Sequence, residues 1–308
     1  MPDRQSLAAG FKAGLQTSQL RVMDRTGIGN VLVHESSAHI EAPNWSPDGQ
    51  WLLFNSAGRL FRLLADGQGA PEPVAIEPEL VANNDHVLSP DGQTIYFSVR
   101  GGQVYAVPWA GGLARQVSND HPPESPHLYF VHGISPDGQT LIYVALCGPK
   151  ARRNFGLYTI PAAGGPDTAL FLPSVPVDGP EYAPDGQWIY YNGEDPAREP
   201  GHAQLYRMRA DGSAREQLTH DQRVNWFPHA SPDGQWLSCI SYPPGTRGHP
   251  PNRDVQIRVM RPDGRHSAVV ARFLGGQGSL NVNSWSPDSQ RLAYVAYPRR
   301  ASEAASKP

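Results

Sequence analysis

Short apolar runs recur along this chain, and each is entered from a polar four-residue phrase. The runs are Trp51-Leu52-Leu53-Phe54, Thr94-Ile95-Tyr96-Phe97, Leu141-Ile142-Tyr143-Val144, Trp188-Ile189-Tyr190-Tyr191, Trp236-Leu237-Ser238-Cys239 and Leu292-Ala293-Tyr294-Val295. They are apolar on both faces, the pattern of strands sandwiched between neighbouring sheets. The phrases are Ser46-Pro47-Asp48-Gly49, Ser89-Pro90-Asp91-Gly92, Ser135-Pro136-Asp137-Gly138, Ala183-Pro184-Asp185-Gly186, Ser231-Pro232-Asp233-Gly234 and Ser286-Pro287-Asp288-Ser289. Proline presets the second turn position, aspartate tolerates the third, and glycine supplies left-handed backbone after it. Each phrase therefore predicts a tight, bulged turn between antiparallel strands. Ser289 in place of glycine predicts a strained or differently shaped sixth turn.

The six prolines lie 43 to 55 residues apart. A second apolar run follows in most repeats, such as Gln103-Val104-Tyr105-Ala106-Val107 or Gln204-Leu205-Tyr206-Arg207-Met208, and ends at a further turn such as Asp66-Gly67 or Asp211-Gly212. With the segment before each proline and a short closing strand, every repeat makes four antiparallel strands. That unit at this period predicts an all-β, six-bladed β-propeller. After the sixth turn there is room for little more than a single strand. Gln19-Leu20-Arg21-Val22-Met23 followed by Gly27 matches Gln256-Ile257-Arg258-Val259-Met260 followed by Gly264. N-terminal strands at 19–23 and 30–34 are thus expected to complete the last blade. Residues 1–17 read as an extension, 18–298 as the propeller and 299–308 as a tail.

Composition narrows the function classes. A net charge of −3 without a long charge run argues against a nonspecific nucleic-acid or membrane surface. The 31 glycines and 31 prolines make a turn-rich β composition short of low complexity. Cys147 and Cys239 fall in blades three and five, too far apart for a disulfide. No segment approaches transmembrane length, and the first eighteen residues lack the apolar core of a secretory signal. A cytoplasmic protein is expected, or a periplasmic one if a leader was removed.

These repeats resemble those of the TolB-like β-propeller family over about residues 18–297, on the strength of the six turn phrases. Longer phrases look like a stand-alone subfamily: Asn84-Asp85-His86, His132-Gly133, Asp178-Gly179-Pro180-Glu181-Tyr182, Asn225-Trp226-Phe227-Pro228-His229 and Gly275-Gly276-Gln277-Gly278. The resemblance implies the propeller fold but no particular reaction, because such repeats serve in interaction modules and in peptidase propellers alike. TolB proper adds an N-terminal α/β domain and a secretion signal, and neither is expected here. The peptidases need a Gly-x-Ser-x-Gly elbow, and the sequence contains no such pentapeptide.

In a propeller the strand before each turn lines the central channel, so the residues four to seven before each proline gather at one mouth. Glu41, Asp85, His86, His132, Asp178, Asn225, Gln277 and Asn281 are the candidate ligand-binding residues there, with Glu181 and His229 one step deeper. Three long loops would roof them: 146–154 with Lys150, Arg152 and Arg153, 193–202 with Arg198 and His202, and 243–253 with Arg247, His249 and Arg253. His86, His132 and His229, with carboxylates between them, could hold a divalent metal ion or transfer protons. The plain structural reading is that hydrated mouths carry polar residues anyway and that histidines bridge buried backbone groups. Trp226 and Phe227 read as core or as a stacking platform. Two functions follow: a module recognising a small polar ligand or a partner segment, or a metal-dependent lyase or hydrolase acting on a sugar-like substrate.

Overall fold

Five of the six turn phrases close in the same way. Ser46 Oγ donates to Asp48 Oδ1 (2.5 Å) and accepts the Trp51 N–H (2.9 Å), while Asp48 Oδ1 also accepts the Gln50 N–H (3.0 Å). The pattern recurs at Ser89, Ser135, Ser231 and Ser286. Ala183 has no hydroxyl, and Asp185 there keeps the Gln187 N–H alone (2.9 Å). The glycine that follows has positive φ, 72° at Gly138 and 67° at Gly234, and Ser289 adopts the same backbone at 59°.

A computed structural model describes residues 11, 14–149, 153–194 and 199–300; Lys150, Arg152 and Arg198 of the predicted loops lie outside the described residues. Blades one to five are four-stranded antiparallel sheets, taken from the channel outward. Their inner strands are Ile40–Trp45, Ala82–Leu88, His127–Ile134, Val177–Tyr182 and Val224–Ala230. The strands after the turns pack against neighbours on both faces, as at Leu237–Tyr242, where every residue is buried.

Blade six is assembled from both ends of the chain. Arg291–Ala296 pairs with Ser18–Asp24, which pairs with Val31–Ser36. The register sets Gln19 opposite Ala296 and Met23 opposite Leu292. Leu20 and Val22 pack with Trp45, Leu52 and Phe54 of blade one, and Met23 packs with Trp226 and Ile240 of blade five. The N-terminal strand therefore fills the core on both sides, at about 2 kcal/mol for each fully buried aliphatic side chain. One expectation fails locally: the inner position of blade six is not a regular strand. Residues 279–285 make a single bridge, Trp285 to Leu292, although Ala293 and Val295 still donate to the Ser284 and Ser279 carbonyls. Gly276 and Gly278 turn the backbone before it (φ 133° and 93°), and the Asn281 side chain accepts the Gly278 N–H (2.6 Å).

The turns also touch one another. A Cβ at Gly92 would stand 3.2 Å from Pro47, one at Gly138 3.4 Å from Pro90, and one at Gly49 3.6 Å from Pro287. The last contact spans the closure. Ser289 Oγ accepts the Asp233 N–H (3.0 Å), so the residue that replaces glycine joins turn six to turn five. Both cysteines are free, and no helix among the described residues is long and apolar enough to cross a membrane.

Gly138→Val should cost at least about 1 kcal/mol in urea unfolding, because a β-branched residue resists the left-handed region. Ser289→Gly should be close to neutral: relief of backbone strain is offset by loss of the bond to Asp233, which Ser289→Ala also loses without that relief. Deleting residues 1–35 should expose the Arg291–Ala296 edge and abolish the cooperative melt; an unchanged melt would refute the stitched blade.

Candidate functional site

The inner strands carry the candidate residues, and each breaks register at the same depth. The breaks fall between Glu41 and Asn44, Ala82 and His86, Val131 and Gly133, Asp178 and Glu181, and Trp226 and His229. Three share one device, a residue of positive φ followed by proline: Ala42 (57°), Gly179 (57°) and Phe227 (53°). Such bulges re-aim the side chains beside them. Polar residues in the second strands of preceding blades hold them. Asn192 Oδ1 accepts the Phe227 N–H (2.9 Å), Ser98 Oγ accepts the Val131 N–H (2.8 Å), and Asn55 Nδ2 donates to the Asn83 carbonyl (2.7 Å).

On the side of the long loops, His132 is the centre. Its ring is only 4% exposed, with Nε2 3.1 Å from Asp178 Oδ1 and 3.9 Å from Asp85 Oδ1. Asp178 accepts the Gly179 N–H (2.8 Å), and its second oxygen lies 3.7 Å from Nε2 of His249 in the blade-five loop. The His249 ring packs on Trp226 and Phe227 at 4.5 and 5.1 Å. These two rings are buried, so they are core under His249 and not an exposed platform. Asp178 and His249 reach solvent, at 24% and 22% exposure. Asp85 is fixed by Asn83 Nδ2 (2.7 Å). Glu41 sits next round the ring, 3.4 Å from Asn84 Nδ2 and 3.8 Å from His39 Nδ1. Asn281 is buried with its backbone facing His132, and Gln277 is half-buried just before it.

The deeper pair faces the other way. His229 Nδ1 donates to Glu181 Oε2 (2.6 Å), and Glu181 Oε1 accepts from Ala230 N–H (3.0 Å) and Asn283 Nδ2 (2.7 Å). Glu181, Asn283, Asn44 and His132 form the floor of a cavity of about 380 Å³ that opens between the six turns, at the opposite end from the predicted mouth. A second hollow of about 280 Å³ lies among the loops of blades four and five, by His202 and Arg247.

Two expected residues belong elsewhere. Asn225 is sealed between blades, bonded to Gln204, Thr219 and Ser241, because it falls beyond the bulge that re-aims its neighbours. His86 is wholly buried against the Ala42 backbone, with neither ring nitrogen in a hydrogen bond of good geometry. The three histidines thus stand apart, on Ala42, on Asp178 and on Glu181. Among the described residues no group of three His, Cys, Asp or Glu is placed to hold a metal ion, so this donor set does not fit the expected metal centre. His249 was expected on the roofing loop of blade five but not as a partner of Asp178, and Asn44 and Asn283 were not among the expected residues. Asn44 and Asn283 lie three and four places before their prolines, a position that could have flagged them.

Burial works against charge on His132. The hydrogen bond to Asp178 and the charges of Asp85 and Asp178, with the Asn281 backbone, outweigh it and hold its pKa above the usual 6.5. Burial pushes Asp178 upward, but His132, His249 and the Gly179 N–H outweigh it and keep the carboxyl below 3.8. Burial drives His86 down to about 4, against a smaller upward pull from the Ala42 backbone. The signs then differ. Stability from His132 is complete below about pH 6.5 and is lost as pH rises through its raised folded value. For His86 the unfolded chain binds the proton more readily, so stability falls from about pH 6.5 down to about 4, by about 3 kcal/mol in all. His86→Leu should flatten the acid limb of a stability–pH curve and leave the alkaline limb in place. If the acid limb persists, burial of His86 is not its source.

No protein-family profile matches the chain. An uncharacterised curated protein of Agrobacterium fabrum (strain C58), Atu1656, is 38% identical over 270 residues, covering 86% of this chain and 87% of its own. A structure from Agrobacterium tumefaciens, provisionally described as TolB, matches with a TM-score of 0.83 at 35% identity, over 92% of this chain and 99% of that one. An oligogalacturonate lyase in complex with manganese shares the fold alone, with a TM-score of 0.58 at 14% identity over 94% and 98% of the two chains. A relative of this identity along most of the length, and one propeller common to both chains, mean that the chain belongs to the TolB-like β-propeller family.

Proposed function

We propose that the protein is a binding module that recognises a small polar ligand or partner segment at the loop-side mouth of its channel. The observation that supports this most is the Asp85–His132–Asp178 cluster, buried at its centre yet reaching solvent through Asp178 and His249. Buried charge of this kind is costly and is retained where it is paired and useful. Asp178 Oδ2 offers an acceptor to a hydroxyl or N–H donor, and the His249 ring offers an apolar face beside it.

A second reading is favoured by one feature. His132 hydrogen-bonds a carboxylate and has a raised pKa, which suits proton transfer. The neighbouring lyase acts on oligogalacturonate by its description, and a lyase or hydrolase acting on a sugar-like substrate is the corresponding enzymatic role. His132 and Asp178 would move the proton, with no step routed through a metal.

Direct binding assays with neutral and acidic oligosaccharides test both. Asp178→Asn and His249→Ala should each weaken binding roughly tenfold, the size of one lost charge-assisted hydrogen bond; His249→Ala should leave the melting temperature nearly unchanged because that ring reaches the surface, whereas Asp178→Asn should also lower it, since it removes the carboxylate paired with buried His132. Formation of an ultraviolet-absorbing unsaturated product would favour the lyase. His229→Ala is expected to destabilise instead, by about 1–3 kcal/mol, since it strips a partner from buried Glu181. Unchanged binding in the Asp178 and His249 variants would make the cluster structural.

A further inference from the structure

Blade three carries a second cluster of ionisable side chains, on the sheet face that packs against Val104 and Val117 of blade two. It shares no residue with the His132 site or with the lining of the turn-side cavity. Asp167 is its anchor. Its carboxylate accepts from Asn119 Nδ2 (2.9 Å), the Tyr129 hydroxyl (2.7 Å) and the Tyr143 hydroxyl (2.8 Å). Burial pushes its pKa up, but these three hydrogen bonds outweigh it and keep the carboxyl below 3.8, so Asp167 is ionised and can only accept.

The direction of every other proton in the cluster follows from that charge. Both phenol protons point at Asp167, so the phenol oxygens are acceptors toward the histidines. Tyr129 accepts from His121 Nε2 (2.7 Å), and Tyr143 accepts from His127 Nε2 (3.3 Å). The single proton of a neutral His127 ring is thereby held on Nε2, and Nδ1 presents a lone pair. Cys147 Sγ lies 3.2 Å from that Nδ1, with the Tyr158 hydroxyl 3.7 Å away on the same sulfur. Cys147, His127 and Tyr158 are all half-buried. Burial, with the His121 ring stacked at 4.6 Å, holds His127 below 6.5 against the pull of Asp167. Burial likewise holds the Cys147 thiol above 9.0, although Tyr158 draws it down. Near neutral pH the pair therefore rests as thiol and imidazole. A nucleophile, a base with its lone pair on that nucleophile and a third group that orients the base make a Cys147–His127–Tyr143–Asp167 relay.

We propose that Cys147 is a thiol-modification site that takes a small uncharged disulfide, with His127 as its base. His127 Nδ1 accepts the thiol proton as Sγ attacks one sulfur of R–S–S–R. The S–S bond breaks, its electron pair leaves on the other sulfur, and that thiolate takes the proton back from His127 Nδ1. The products are a mixed disulfide on Cys147 and one R–SH: Cys147 is oxidised and the leaving half is reduced. The two polar groups on Sγ match this reaction, because exchange needs a proton acceptor for the attack and a donor for the charge that develops on sulfur. The His127 and Tyr158 rings, edge to face at 5.0 Å, give sulfur a favourable aromatic lining. The ionised Asp167 behind them disfavours an anionic disulfide.

The test is reaction of the full chain with 2-hydroxyethyl disulfide, followed by intact-mass spectrometry and peptide mapping across a range of pH. One adduct is expected, on Cys147, with Cys239 sealed in the core as the internal control. Because the neutral pair is the attacking species, the rate should be nearly flat from about pH 6.5 to about pH 8. A thiol of raised pKa without a base would instead gain roughly tenfold for each pH unit. His127→Gln should slow the reaction at least about tenfold at pH 7 and restore that climb. The profile of the unaltered chain decides the matter if His127→Gln fails to fold. No adduct on Cys147, equal labelling of Cys239, a tenfold climb per pH unit in the unaltered chain, or an unchanged profile in folded His127→Gln would each overturn the proposal.

Discussion

The fold depends on closing a ring of six sheets, and one strand does most of that. Ser18–Asp24 is hydrogen-bonded on one side to Arg291–Ala296 and on the other to Val31–Ser36. It also buries Leu20 and Val22 toward blade one and Met23 toward blade five. A sheet edge left open at Arg291–Ala296 would present unpaired backbone groups. The turn ring repeats the constraint near the axis, where Gly49 meets Pro287 and Ser289 meets Asp233. Sequence-distant ends thus fix the radius of the channel.

That radius decides what the channel can be. Asp85, His132 and Asp178 come from three consecutive blades and meet only because the ring is closed at this width. Together with Glu181, His229 and Asn283 they fill the channel midway with paired polar groups. Each charge has an opposite partner or a backbone donor, as burial requires. The result is two mouths with different characters. The loop side ends in a mixed acid–imidazole cluster, and the turn side ends in an apolar funnel with acidic surroundings.

The six turns and the shared last blade were legible because they rest on local chemistry. Proline and glycine at fixed offsets have few backbone options, and Gln19–Met23 copies the third strand of blade five residue for residue in type. The site was less legible. Counting back from each proline assumes unbroken alternation along the inner strand, and the positive-φ residues Ala42, Gly179 and Phe227 break it. Asp178 and Trp226 both lie six places before their prolines, yet one reaches solvent and the other is core. Asn225 went between blades for the same reason. The turn-side cavity was not legible, because its walls are apolar and the polar groups form its floor.

His132 belongs to both halves. It lines the turn-side cavity, and its Nε2 bonds Asp178 on the loop side. A proton on this ring is favoured by Asp85 and Asp178, so charge placed at either mouth is felt by the same group. Linkage is reciprocal: a charged ligand at either mouth that raises or lowers the proton affinity of His132 would have its own affinity changed by the same free energy when that ring gains or loses its proton. The effect needs no movement of the blades, which are locked by packing on both faces. It follows from setting one titratable group in the wall between two cavities, at a depth where water screens it poorly.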